Sequence, residues 1–240
     1  MVSQFFKTFI RTLKHNKVFT LINLLGITLG FTCSILIYLF VADELSYDRD
    51  LPNYENIYRI SWIAEHAQTR TPHPMAQAMR QDFPEVKTAV SFSPWYGAGL
   101  TKQEIKVENK DLELKFNEPD FYFADSTFLD VFKLDLVSGD KNALSEPNTL
   151  VITESMATKY FGEQDAIGQI LTISDMPMEV ALVVKGMPKN SHFHFNALIS
   201  YMTVKSINPE SHWMTWEDFG HFNYIVLEEG SSPSVLQSKI

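Results

Sequence analysis

Ser191-His192-Phe193-His194-Phe195 is the segment whose residue types and spacing come nearest to chemistry. If it is a strand, His192 and His194 share one face and could share a metal ion, while Phe193 and Phe195 face the core. A metal site needs three or four ligands, and spacing does not bring His212, His221 or Asp218 to the pair. Two partly exposed histidines on a half-buried strand require no metal, and none is expected. Other reactive signatures do not occur in the sequence. There is no Gly-x-x-x-x-Gly-Lys-Ser/Thr loop: Gly162 to Gly168 has five intervening residues and continues into Gln169, without the phosphate-reaching lysine. There is no His-Glu-x-x-His and no Gly-x-Ser-x-Gly, and Cys33 lies inside a long apolar run. The expectation is therefore a non-enzyme, with no catalytic, cofactor-binding or metal-ligating residue. Trp213, Trp216 and Phe219 could form a binding lip, but aromatic clusters are more often buried and are assigned to the core.

Composition bounds what could position such residues. At 45% hydrophobic and 20% charged, the 240-residue chain is too apolar for a disordered one. One cysteine forms no internal disulfide and no cysteine-based zinc module. A net charge of −9 and a pI of about 5.2 argue against nucleic acid as a partner, because phosphate neutralisation needs clustered Lys and Arg.

From Val18 to Ala42 run 25 residues without Asp, Glu, Lys, Arg or His, 15 of them Leu, Ile, Val or Phe. A helix of that length reaches about 38 Å, enough to cross a hydrocarbon core of about 30 Å. A cleaved signal peptide has an apolar region of about 7–15 residues and a small-x-small cut, whereas here Phe40 and Ala42 would flank it. The run is read as a retained transmembrane helix, residues 18–42. Lys7, Arg11, Lys14 and Lys17 precede it with no acid; Asp43, Glu44, Asp48 and Asp50 follow with Arg49 alone. Positive charge stays on the cytoplasmic side, which places the N-terminus inside and residues 43–240 outside, periplasmic if the cell has an outer membrane.

Within residues 1–17, Phe5, Phe6, Phe9, Ile10 and Leu13 fall on one helical face and Lys7, Arg11 and Lys14 on another. This pattern predicts a cytoplasmic helix lying in the interface, apolar side to the acyl chains of the bilayer. In the span, Asn23, Gly26, Gly30 and Ser34 share an arc of about 80°, a stripe of small and polar residues. It is read as a packing surface for other helices, of the same chain or a partner.

Residues 43–240 hold all 29 acids and 16 of the 20 Lys and Arg, a net −13, which suits a soluble domain held off an anionic membrane. The pattern there is α+β, with mixed strand-helix-strand units that could form one domain or two subdomains. Tyr54 to Ile63 reads as a strand start, and Pro74 opens a helix with Met75, Met79 and Phe83 that Pro84 stops. Ile105 and Val107, then Leu112, Leu114 and Phe116, alternate across Asn109-Lys110-Asp111 as a hairpin. Asp125 is placed to cap a helix over Ser126 to Phe132. Leu150 to Ile152 is a strand, and Thr153 caps a helix from Glu154 to Phe161 that Gly162 ends. Strands are further expected over Ile170 to Ile173, Glu179 to Val184 and Phe193 to Ser200.

Asn23-Leu24-Leu25-Gly26 with Gly30, Asp43-Glu44-Leu45-Ser46-Tyr47-Asp48 and Ile57-Tyr58-Arg59-Ile60 together resemble the start of a MacB/FtsX-type ABC transporter permease, in its Bacteroidetes-like form. Phe128-Leu129-Asp130-Val131-Phe132, Val151-Ile152-Thr153-Glu154-Ser155-Met156-Ala157, Tyr160-Phe161-Gly162, Ile167-Gly168-Gln169 and Pro188-x-Asn190-Ser191-His192-Phe193 resemble its MacB-like periplasmic core domain, residues 43–240. Val183-Val184-Lys185-Gly186 departs from the family pattern, which has Gly nearer the strand centre followed by an acid. The resemblance implies a permease subunit of the inner membrane, and a structural role for the Ser191–His194 segment. It further implies ATP on a cytoplasmic ABC ATPase partner, a second permease copy, and a periplasmic or outer-membrane partner. Hydrolysis by that partner would drive extracytoplasmic change for export of peptide, lipoprotein or antibiotic-like substrates. No second run of about 18 apolar residues follows Ala42, so a fragment or a truncated product is expected. Ser234 to Ile240 reads as the first turns of a further helix. The alternative is a single-span anchored binding or sensor module in which Gly26 and Gly30 mediate dimerisation.

Overall fold

The computed structural model describes residues 4, 7, 8, 11, 15–63, 67–95, 104–208 and 214–240, and divides into two units, Met1–Tyr47 and Asp48–Ile240. In the first, α1 (Lys17–Glu44) is a helix of 28 residues with no buried side chain, long and apolar enough to cross a membrane. Its polar residues look inward to its own backbone: the Thr32 and Ser34 hydroxyls donate to the Thr28 and Gly30 carbonyls at 2.8 and 2.9 Å. This satisfies them without water and makes them compatible with lipid. Lys7 and Arg11 are helical and exposed; Phe5, Phe6, Phe9, Ile10, Leu13 and Lys14 of the expected interfacial helix lie outside the described residues.

The second unit is a mixed sheet. In chain order its strands are β1 (Ile57–Arg59), β4 (Val86–Pro94), β5 (Ile105–Asn109), β6 (Leu114–Glu118), β7 (Phe121–Ala124) and β8 (Leu136–Gly139). They continue with β9 (Thr149–Thr153), β10 (Ile170–Ile173), β11 (Met176–Val184), β12 (Ala197–Ser200) and β13 (Phe222–Leu227). The order across the sheet is β1-β13-β4-β7-β12-β9-β11-β10-β5-β6, with β8 also against β11. The pairs β9/β11 and β7/β12 are parallel and the others antiparallel. Such parallel pairs need a crossover, to which the helix Glu154–Phe161 contributes after β9. A small hairpin, β2 (Trp62–Ile63) and β3 (Ala67–Gln68), stands apart from this sheet. One continuous sheet runs through residues 48–240, so the outer part forms one unit and not two subdomains.

The central strands bury both faces, which is why Leu150-Val151-Ile152 and Val180 to Val184 are continuous apolar runs. Leu150, Ile152, Phe121, Phe123, Ala197 and Ile199 face one core with Met156, Tyr160, Leu171 and Ile173. Val151, Ala124 and Leu198 face the other with Phe92, Phe128, Phe132 and Tyr224. A register shift between Val180 and Leu182 breaks the alternation, so Met178, Val180 and Val183 meet the first core while Leu182 and Val184 meet the second.

Six helices are described: α1, α2 (Pro74–Asp82), α3 (Phe128–Phe132), α4 (Glu154–Phe161), α5 (Tyr201–Ile207) and α6 (Pro233–Gln237). The α4 helix follows its local code: Thr153 accepts from the Met156 amide at 3.3 Å, and Gly162 ends the helix at φ +64°. The α2 helix opens on Pro74 and buries Ala76 and Met79.

Four local expectations are corrected. Tyr54–Ile63 is not one strand: a 3₁₀ turn at Tyr54–Asn56 precedes β1, and β2 leaves for its own hairpin. Asp125 is not a side-chain cap: α3 begins at Phe128, because the Asp125 carboxylate is held by the Ser91 amide (3.0 Å) and His73 (3.2 Å). Phe193–Asn196 is not strand, and β12 starts only at Ala197. In the hairpin β5 alternates as expected, but Leu112 lies in the turn and Phe116 on β6, the last strand of the sheet, and both are exposed. Asn109 builds its turn, Oδ1 accepting from the Asp111 and Leu112 amides at 3.1 and 3.2 Å.

Candidate functional site

Two of the short motifs, 144 residues apart, meet at Asp48. This residue sits at φ +60°, in the left-handed region that a short acid tolerates. Its amide donates to the Asn190 carbonyl at 2.7 Å. Its Oδ1 accepts from the His192 amide at 3.2 Å and its Oδ2 from His192 Nδ1 at 2.8 Å. With Nδ1 carrying the hydrogen, Nε2 accepts from the Tyr224 hydroxyl at 2.5 Å. His192 is thus pinned between the first residue of the outer unit and the middle of β13.

The floor beneath is aromatic. Tyr224 stacks on Phe92 at 5.6 Å, and Phe193 lies against Phe92 at 5.0 Å and Phe132 at 5.2 Å. Leu51, three residues after Asp48, is buried in the same core. The Asp48 and His192 side chains are each 36% exposed, so the ion pair alone contributes little. The strength lies in four linked hydrogen bonds, three at Asp48 and one from His192 to Tyr224, over a packed floor.

Burial pushes the Tyr224 hydroxyl up to about 12, opposed by the Arg59 guanidinium and assisted by the Asp48 charge. Between about pH 10 and this value the unfolded chain loses the Tyr224 proton and the folded one keeps it. The stability is present below about pH 10 and is lost as the pH rises towards 12, at about 1 kcal/mol per pH unit. Urea unfolding at about pH 9 and 11 should show a smaller alkaline fall in Tyr224→Phe than in the parent.

The arrangement fastens two distant segments of the outer unit to each other. The adjoining cavity, about 260 Å³ between Leu51, Phe132, Lys133, Lys185 and Met187, is below the roughly 300–1,000 Å³ of ligand pockets. Because residues 191–195 are not strand, His192 and His194 do not share a strand face. Among the described residues no three His, Cys, Asp or Glu converge on a metal position. Asn23, Gly26, Gly30 and Ser34 lie on α1, exposed, with nothing within 4 Å of a Cβ at either glycine. Cys33 is a free, exposed thiol on the same helix.

Trp216 and Phe219 are not core: they are 53% and 47% exposed, and Trp62 meets Phe219 edge-on at 6.3 Å. The segment that carries them is a loop outside the sheet, leaving their rings no second layer. Trp213 and His212 lie outside the described residues. Sequence reasoning missed Tyr224 and the partnering of Asp48, since no periodicity links residues so far apart; the presence of both motifs in one order was the available signal.

Comparison with known proteins gives the following. The model of the MacB-like periplasmic core domain matches residues 20–240. No curated protein matches the chain. Among solved structures, a domain of a permease protein from Porphyromonas gingivalis is 22% identical, with a TM-score of 0.67, over 79% of this chain and 83% of that one. The periplasmic region of MacB from Actinobacillus actinomycetemcomitans is 15% identical, with a TM-score of 0.51, over 71% of each. At these identities the structural likeness is one of fold.

Proposed function

The chain belongs to the family of MacB-like periplasmic core domains, and from that premise we propose that it supplies the first membrane helix and outer domain of a MacB/FtsX-type ABC transporter permease subunit. The observation that carries the reading is the span of the family match, which takes in most of α1 and the whole outer unit. As in the family, the chain is a transporter component and not a classical enzyme. In this reading the N-terminus is cytoplasmic, α1 crosses the inner membrane beside a second permease copy, and residues 43–240 are periplasmic. A cytoplasmic ABC ATPase supplies the ATP chemistry. Its cycle biases the outer domain between states that export peptide, lipoprotein or antibiotic-like substrates, with an outer partner receiving them.

The Asp48 fastening suits that role. Residues 45–47 join α1 covalently to Asp48, so displacement of the helix end is delivered to His192 and Tyr224 through the hydrogen bonds described above. Crosslinking and affinity recovery from source membranes should return an ABC-type ATPase with this chain. Its consistent absence would shift the reading to a single-span anchored module, which the one apolar helix among the described residues also suits. With the complex in hand, His192→Ala should leave the ATPase bound but reduce the ATP-dependent change in outer-domain hydrogen exchange at least about fivefold. An unchanged response would remove the fastening from the mechanism.

A further inference from the structure

Away from the fastening, a second group of polar side chains is buried between α2, β4, β13 and the start of α5. His221 Nε2 lies 3.3 Å from Asp218 Oδ2, and the His221 side chain is 2% exposed. Its Nδ1 is 2.6 Å from the Tyr201 hydroxyl, which is 2.9 Å from Ser93 Oγ. His73 also packs edge-on against Tyr201, at 4.7 Å, and donates from Nε2 to Asp125 Oδ1 at 3.2 Å. The two imidazole rings are 5.3 Å apart. Among the described residues the groups facing the pair are Asp125 beyond β7, Asp218, Tyr201 and each other. Arg70, over the Phe222 ring at 5.4 Å, is the cation on the segment leading to Thr71. Ser91 Oγ and Asn223 Oδ1, buried in the same region, have no hydrogen-bond partner.

The hydrogen bonds have a direction that one proton reverses. A carboxylate only accepts, so His221 Nε2 carries a hydrogen in either charge state. With His221 neutral, Nδ1 accepts from Tyr201, whose oxygen is then left to accept from Ser93. With His221 protonated, Nδ1 donates to the Tyr201 oxygen, and Tyr201 turns its hydrogen to Ser93. Burial holds the Tyr201 hydroxyl well above its usual range, so it stays a neutral link throughout. The net change is one bound proton and no covalent rearrangement. Protonation converts His221–Asp218 from a neutral contact into a charge-assisted one. Asp218 belongs to the loop that exposes Trp216 and Phe219, and its carboxylate folds back within 3.0 Å of a Cβ position at Gly220.

We propose that His73 and His221, packed against each other and against Tyr201, form a proton-binding site of the outer domain, whose occupancy at His221 reverses the Asp218–His221–Tyr201–Ser93 chain and tightens the loop carrying Trp216 and Phe219.

The test is hydrogen exchange on the full chain in detergent micelles at about pH 8 and 5.5, corrected for intrinsic rates. The amides of residues 214–221 should gain at least about tenfold protection at the lower pH, with β9 and β11 unchanged. Tyr201→Phe, which keeps the ring and breaks the relay, and His221→Gln should each abolish the gain. If His221→Gln loses protection in β9 and β11 and so has not folded, Asp218→Asn at the partly exposed end of the chain takes its place. No gain in the parent chain, or a gain that survives in the folded variants, overturns the proposal.

Discussion

Replacing Phe92 by Ala is expected to cost the outer unit about 3–5 kcal/mol, enough to leave much of it unfolded if its total stability is the usual 5–15 kcal/mol. Phe92 is 1% exposed and its ring meets those of Tyr122, Phe128, Phe132, Phe193, Phe222 and Tyr224 at 5.0 to 6.0 Å. These come from β7, α3, the 191–195 segment and β13, so no single neighbour can move in to fill the space. The cost includes the cavity as well as lost transfer energy. Urea unfolding followed by near-ultraviolet circular dichroism would measure it. A midpoint shift equivalent to less than about 1 kcal/mol would mean the aromatic cluster collapses freely and is not the rigid floor of the Asp48 fastening.

Gly139→Ala is expected to be comparably severe for a different reason. Gly139 closes β8 at φ +106°, where an L side chain is strained. A Cβ there would stand 2.3 Å from the Ala181 carbonyl oxygen and 2.8 Å from Leu182 Cα. Both are backbone atoms of β11, at the register shift that distributes its side chains between the two cores. Neither can rotate aside, so the strands must part. Strain and overpacking together amount to about 3–5 kcal/mol. Hydrogen exchange should locate the loss at β8 and the C-terminal half of β11. A variant with parent-like protection there would show that β8 pairing is dispensable.

What the sequence made legible was what neighbours decide. Thr153 and Gly162 bound α4 through contacts within four residues, and Pro74 with Pro84 bound α2, so both helices were readable. The Ile105/Val107 alternation survived because β5 has a covered face, whereas β6, built of the same pattern, is an edge. Asp125 has every property of a cap, yet its carboxylate is occupied by residues 34 and 52 positions away, which no window could reveal. The His192/His194 pair looked like a ligand set only while the segment was taken as a strand. Trp216 and Phe219 fell outside the core because their loop has no opposing layer, a fact of topology and not of residue type. Family resemblance reached further than periodicity, since it joined the Asp48 and His192 motifs in one protein, though not the hydrogen bonds between them.

The strand order also sets a timetable. Ile57, near the start of the outer unit, pairs with Val226, 169 residues further on. At roughly 5–20 residues per second of synthesis, β1 waits about 8 to 35 s before the strand that receives it exists. Until then Ile57 and Tyr58 have no sheet to join, and His192, due 144 residues after Asp48, is itself still awaited. The amino-terminal end of the outer unit is made first and seated among the last. It must therefore remain unpaired through most of its own birth, the period in which an open strand is most exposed to mispairing.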